Sequence, residues 1–257
     1  MVSQPSSFFI PDWPAPTSVG AAISLRSGGI SKGLFSSNNM ALHVGDNTTD
    51  VLANRDSLIS KLGLLDTPLW LNQVHGTHVI YVPDAEEIPD ADGSYTDKSQ
   101  TICAVMTADC LPILLCDKAG SEVAAVHAGW RGLCHGVVRQ AVGKFRSPAE
   151  QIMAFLGPAI GPKAFEVGPE VLESFLDNAQ SQQHQKSIIT AFKSTDNNQF
   201  NDHFFADLYA LARAELVACG IDSIFGGDFC TFSDKERFYS YRREQTTGRH
   251  ASLIWLK

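Results

Sequence analysis

Two hydrophobic rhythms alternate along this chain. Short apolar runs bounded by Gly, Asp or Pro recur at 19–25, 69–74, 101–106, 112–116, 122–126, 152–156, 221–227 and 251–256. Each has the length and flanks of a buried β-strand. Between them the spacing changes to that of a helix. Val51, Leu52, Leu58, Ile59 and Leu62 predict a helix over 50–63, with Thr48 or Thr49 as its cap. Val137, Val138, Ala141, Val142 and Phe145 line one face of a helix predicted over 132–145. Pro169 opens another, over 169–179, where proline is tolerated. The clearest is 202–219, with Phe205, Leu208, Leu211, Ala212, Leu216 and Val217 on one stripe and Gly220 as its C-cap. Residues 181–201 are polar and read as an irregular surface segment. Residues 1–18, with Pro5, Pro11, Pro14 and Pro16, read as an N-terminal surface segment. No repeat or linker divides the rest, so 19–257 is expected to be a single catalytic domain. The order of elements predicts an α/β or α+β fold with mixed sheets.

Composition narrows the function. The 257 residues carry a formal charge of −8, the wrong sign for electrostatic binding to nucleic acid or an anionic membrane. No apolar run reaches the ~18 residues of a membrane span. The N-terminus lacks the basic and apolar regions of a secretory signal. The six cysteines form no CxxC pair, which suits a reduced, cytoplasmic protein. Nothing declares an oligomeric interface, and a monomer is the expectation.

Three segments place reactive side chains just after apolar runs: Asn72-Gln73-Val74-His75-Gly76, Thr107-Ala108-Asp109-Cys110, and Val126-His127-Ala128-Gly129-Trp130-Arg131-Gly132. His75, Cys110 and His127 can be read as a zinc set, since a thiolate and two imidazoles with an open fourth position are a catalytic-site pattern. Taken singly, each is more often a buried structural residue. His43, His78, His135 and His250 are alternative ligands. The same residues permit a metal-free reading, with Cys110 as nucleophile and His127 as its base. Gly129 to Gly132 lead into a predicted helix, so Arg131 is a candidate anion contact, against the plainer reading of a surface turn. The Gly28–Gly33 loop lacks P-loop order and reads as an ordinary turn. Phe165 is a candidate for stacking on a base, with core packing the commoner role.

Together these segments resemble the YfiH family, the bacterial multicopper polyphenol oxidase or laccase-like family. Its members are also called purine nucleoside phosphorylases and peptidoglycan editing factors. The similarity runs from about residue 19 through NQVHGTHV at 72–79, TADCLPILLCD at 107–117, AVHAGWRGL at 125–133, LGPAIGP at 156–162 and FYSYRREQTTGRHASLIWL at 238–256. It implies two mixed sheets sandwiched between helices in four layers, like the catalytic domain of cytotoxic necrotizing factors. It implies zinc on His75, Cys110 and His127. It also implies phosphorolysis of adenosine, inosine, guanosine and methylthioadenosine, with adenosine deamination as a second activity. A zinc-bound water of lowered pKa would serve the deamination. Phosphate would need a cationic cradle, for which Arg26, Arg131 and Arg249 are candidates, and Asn39 is a candidate substrate contact. Asp109 is near enough in sequence to be considered as a proton relay. The alternative is a Cys-His amide hydrolase editing a cell-wall precursor. Copper can compete for such ligands. A laccase, however, needs about eight further imidazoles in a trinuclear cluster, and this chain has eight His in all with no His-x-His pair.

Overall fold

The structure, a computed structural model, describes residues 6–85, 88–195 and 203–257. Strands β1 (Phe8–Phe9), β2 (Val19–Ser24), β5 (Ile102–Thr107) and β13 (His250–Leu256) form one sheet in the order β1-β2-β13-β5. Strands β3 (Val79–Tyr81), β4 (Gly93–Thr96), β6 (Leu111–Asp117), β7 (Val123–Ala128), β8 (Ile152–Leu156) and β12 (Ser223–Gly226) form a second, ordered β12-β8-β6-β7-β4-β3. The second sheet is mixed, parallel at β12–β8 and β3–β4. The first is antiparallel throughout, not mixed as expected. A third, small sheet of β9 (Glu166–Val167), β10 (Phe192–Ser194) and β11 (Phe204–Ala206) stands beside them. The fold class is α+β.

Side-chain alternation on the strands builds the layers. On β5, Cys103 and Val105 face the second sheet and pack with Leu114, Ala125 and Phe155. Ala104 and Met106 point the other way, onto Leu58 and Ile59 of helix α1 (Thr48–Leu62). On the far face of the second sheet, Ile113, Leu115 and Val126 pack against helices α2 (Trp130–Cys134), α3 (Val137–Val142), α4 (Pro169–Asp177), α5 (Gln182–Thr190) and α6 (Leu208–Ala218). The result is helix, sheet, sheet, helices. The short α7 (Tyr241–Glu244) precedes β13. No helix among the described residues is long and apolar enough to cross a membrane.

Several elements differ from the sequence reading, each for a local reason. Asn47, not Thr48 or Thr49, caps α1, accepting from the Thr49 and Asp50 N–H groups. The helix expected over 132–145 is broken in two, because Gly136 takes φ +94°. The run 69–74 forms no strand. Only Asn72 makes an isolated bridge, and the Gln73 side-chain amide pairs both ways with the Met106 backbone instead, at 2.7 and 2.8 Å. Within 181–201 the chain forms α5, capped by Ser181, and β10; residues 196–202 lie outside the described residues. The helix expected from 202 begins at Leu208, capped by Asp207, after the strand β11. Residues 6–18 do more than wrap the surface, since β1 pairs with β2 and Trp13 packs on Phe155.

Candidate functional site

The three reactive segments meet at the end of the sheet sandwich. Alternation on β7 puts His127 on the same face as Val123 and Ala125, toward the first sheet. Cys110 sits in the turn joining β5 to β6, directly after Asp109, which takes φ +85°. His75 lies in the loop before β3 with φ +59°. That left-handed conformation is costly for a side-chain-bearing residue. Asp92 holds it: its carboxylate accepts the N–H groups of Val74, His75 and Gly76 at 3.3, 2.9 and 2.6 Å.

The same carboxylate reaches His127. Asp92 Oδ1 lies 2.8 Å from His127 Nδ1, with both side chains buried. This fixes the ring and leaves Nε2 for the site. Asp92 therefore positions both histidines, one through its backbone and one through its ring. Cys110 Sγ lies 3.8 Å from His75 Nε2, and one donor atom from each of the three residues falls within 4.8 Å of the others.

Electrostatics couple the three groups. Burial alone would raise the Cys110 thiol, but His127 first and then His75 outweigh it and bring the thiol down to about 6. Burial likewise opposes charge on His127, yet the Cys110 thiolate and Asp92 raise it to about 9. Each group thus favours the charged form of the other, the thiol lowered and the imidazole raised.

The donor set fits zinc. Bonds of ~2.05 Å to nitrogen and ~2.3 Å to sulfur at tetrahedral angles put the donors about 3.5 Å apart, close to the Cys110–His75 separation. A carboxylate behind a ligating imidazole is the usual outer support of such sites. Gly129 forms the back of the cradle. A Cβ there would sit 3.0 Å from Cys110 Sγ, 3.1 Å from His75 Cδ2 and 3.6 Å from His127 Nε2. Among the described residues this is the one group of three such donors able to hold an ion.

A cavity of about 520 Å³ opens above the cluster. Phe165, Trp130 and Tyr241 provide aromatic wall, Ile160 and Leu208 apolar wall, and Arg242 and Arg249 positive charge. His43 also lines it, pressed below its ordinary pKa by burial and then by the charges of Arg249 and Arg55.

Of the other residues singled out in the sequence, Arg249, Phe165, His43 and Asp109 line this cavity. Arg26 lines a different hollow, where it pairs with Glu244 at 3.0 Å. Arg131 is exposed, stacks on Trp130 at 4.4 Å and is not among the lining residues. Asn39 is fully buried and accepts the Arg249 N–H at 2.9 Å, so it shapes the wall from behind. His78, His135 and His250 lie outside the cluster and the cavity lining. Asp109 spends its carboxylate on Thr231, Ser240 and Arg242. Asp92, Tyr241 and Arg242 were given no role in the sequence; Tyr241 and Arg242 lie in the family-like stretch 238–256, which was the available signal.

Residues 20–257 match the model of a family described as multi-copper polyphenol oxidoreductase laccase. The chain belongs to this family. It is 48% identical over 254 residues to purine nucleoside phosphorylase YfiH of Escherichia coli K12, covering 98% of this chain and 99% of that one. It is 45% identical to purine nucleoside phosphorylase PA4543 of Pseudomonas aeruginosa, with 98% and 99% covered. Among solved structures it is similar to NMB0706 of Neisseria meningitidis, at 44% identity and a TM-score of 0.90 over 98% of this chain and 100% of that one. YlmD of Geobacillus stearothermophilus is similar at 29% identity and a TM-score of 0.84, with 99% and 98% covered.

Proposed function

We propose that this family member is a zinc enzyme of purine nucleoside metabolism. In this reading it cleaves adenosine, inosine, guanosine or methylthioadenosine with phosphate, and deaminates adenosine in a second reaction. The observation that carries the reading is one of place: His75, Cys110 and His127 converge at a cavity of about 520 Å³ with aromatic walls and two arginines. That size suits a small-molecule substrate. The names of the close relatives support the same class of reaction.

In phosphorolysis a phosphate oxygen bonds to C1′ of the ribose as the C1′–N9 bond breaks. The base leaves with the electron pair and takes up a proton. Phe165, Trp130 and Tyr241 supply flat surface for the base. Arg249 supplies charge for the phosphate. Asp92 keeps His127 Nδ1 engaged and its ring in place. Zinc on the three ligands would supply a Lewis acid and a water of lowered pKa. Six free thiols suit a reducing compartment, so a cytoplasmic location is part of the proposal.

A second reading rests on a specific alignment. Cys110, His127 and Asp92 stand in the order nucleophile, base, orienting carboxylate. That is a cysteine amide hydrolase, which the relatives' names do not favour. Copper chemistry of the laccase kind would need imidazole clusters beyond this one group.

Metal content decides first, measured by mass spectrometry on protein purified without a metal-affinity column, for wild type and Cys110→Ala. The proposal expects about one zinc per chain, lost in the variant, and phosphate-dependent release of hypoxanthine from inosine. Metal-free protein that keeps full turnover in EDTA, with a Cys110 that iodoacetamide blocks, would overturn it in favour of the hydrolase.

A further inference from the structure

Asp109 looks at first like a spare acid beside Cys110. Its bonds say otherwise. Oδ1 accepts the Thr231 hydroxyl at 2.6 Å, and Oδ2 accepts the Ser240 hydroxyl at 3.0 Å and the Arg242 backbone N–H at 2.6 Å. Its main-chain carbonyl accepts the Ile160 N–H at 2.9 Å. One residue thus ties the Cys110 turn to two other segments of the cavity wall, and its left-handed φ of +85° is what turns the backbone between them. Three donors on its carboxylate commit both oxygens to holding these segments together.

What Asp109 holds is cationic. Arg242 follows Ser240 and Tyr241 into the cavity wall, stacked on Phe165 at 5.6 Å. Its Nη1 is bonded to the Ala164 and Glu166 carbonyls at 3.4 and 3.1 Å. Arg249 is held in the same manner, with Nη1 on the Thr247 and Gly248 carbonyls at 3.0 and 3.1 Å. Among the described residues, Nε and Nη2 of both guanidinium groups have no protein acceptor. No other carboxylate among the described residues lines this cavity. Two anchored guanidinium forks with free edges, facing one carboxylate whose oxygens are already taken by three donors, are a recognition site for an oxyanion.

We infer that Asp109 is a positioning residue, and that it hangs the 240–242 segment from the Cys110 turn so that Arg242 and Arg249 together cradle inorganic phosphate beside the cluster. The inference rests on the phosphorolysis reading for the identity of the anion, and it replaces Arg26 and Arg131 with Arg242.

Asp109→Asn is a clean probe. Asn tolerates a left-handed backbone and keeps one acceptor oxygen, but its NH₂ cannot accept a second donor. The expected result is a KM for phosphate raised at least about tenfold, with the KM for inosine little changed and zinc content unaltered. Arg242→Gln should do the same without touching the turn. The double variant should be no worse than Arg242→Gln alone, because both act through one contact. Independently of turnover, inorganic phosphate should raise the melting temperature of wild type and fail to do so in Arg242→Gln. If Asp109→Asn folds poorly, Ser240→Ala and Arg242→Gln carry the test. Wild-type phosphate KM in folded Asp109→Asn and Arg242→Gln overturns the inference, as does a fall in kcat alone that tracks the folded fraction. If wild type cleaves no nucleoside while phosphate still protects it through Arg242, the cradle stands and the phosphorolysis reading falls.

Discussion

Gly129 has φ −62° and ψ 157°, angles open to any residue. Its lack of a side chain is a matter of space, because a Cβ would press on Cys110 and His75 together. Backbone conformation will survive Gly129→Ala, while the donor atoms must shift by several tenths of an ångström. The expected outcome is a melting temperature within a few degrees of wild type, weakened zinc retention, and a loss in kcat/KM of about a hundredfold or more. Full zinc occupancy with wild-type turnover would sink the view that this glycine makes room for the cluster. Cys110 and the two histidines were legible in the sequence because their segments are distinctive. Asp92 was not, although it holds His75 and His127 at once. Its role depends on two loops and a strand that only folding brings together.

At the scale of elements, caps and breaks separate what periodicity can read from what it cannot. The apolar stripe of α1 was legible, but its first residue was not, because Asn47, Thr48 and Thr49 are all acceptable caps. Asn47 does the work, with its side-chain oxygen 2.8 Å from the Thr49 nitrogen. Asn47→Ala should therefore cost about 1 kcal/mol, seen in urea unfolding, with catalysis unchanged. Thr49→Ala should cost much less; equal costs would show that the cap had been misassigned. The run 69–74 misled for another reason. Its apolar residues are buried as expected at Leu71, but the Gln73 side chain imitates a strand by pairing with Met106, so no backbone ladder forms.

For the molecule as a whole, two buried groups set opposite pH slopes. Burial brings His250 down to about 3, and its Nε2 already accepts the Tyr239 N–H. Its stabilising effect is present above pH 6.5 and is lost as pH falls toward 3. Burial raises Glu215 to about 7, so its contribution is full below pH 4.5 and is lost as pH rises through 7. Between pH 6.5 and 4.5 the two slopes, each about 1 kcal/mol per pH unit, oppose one another. Glu215→Gln removes one of them. Relative to wild type, the variant should lose stability on acidification across that window, measured by urea unfolding at pH 7, 6 and 5. Parallel curves for the two proteins would refute this account of Glu215.

By itself the sequence determined a mixed α/β or α+β class, most of the strands, the cysteine and histidine cluster and the family. These follow from local periodicity and from contiguous segments such as TADC and HAGWRG. Only the tertiary structure decided which arginines face the cavity. The sequence offered Arg26, Arg131 and Arg249 as candidates and gave no role to Arg242. Pairing with Glu244 occupies one and stacking on the surface removes another, whereas two backbone-anchored guanidinium groups are left with free edges at the cluster. Asp109 reads as a candidate acid in the chain and as a three-way tie in the fold, because its partners lie more than a hundred residues away.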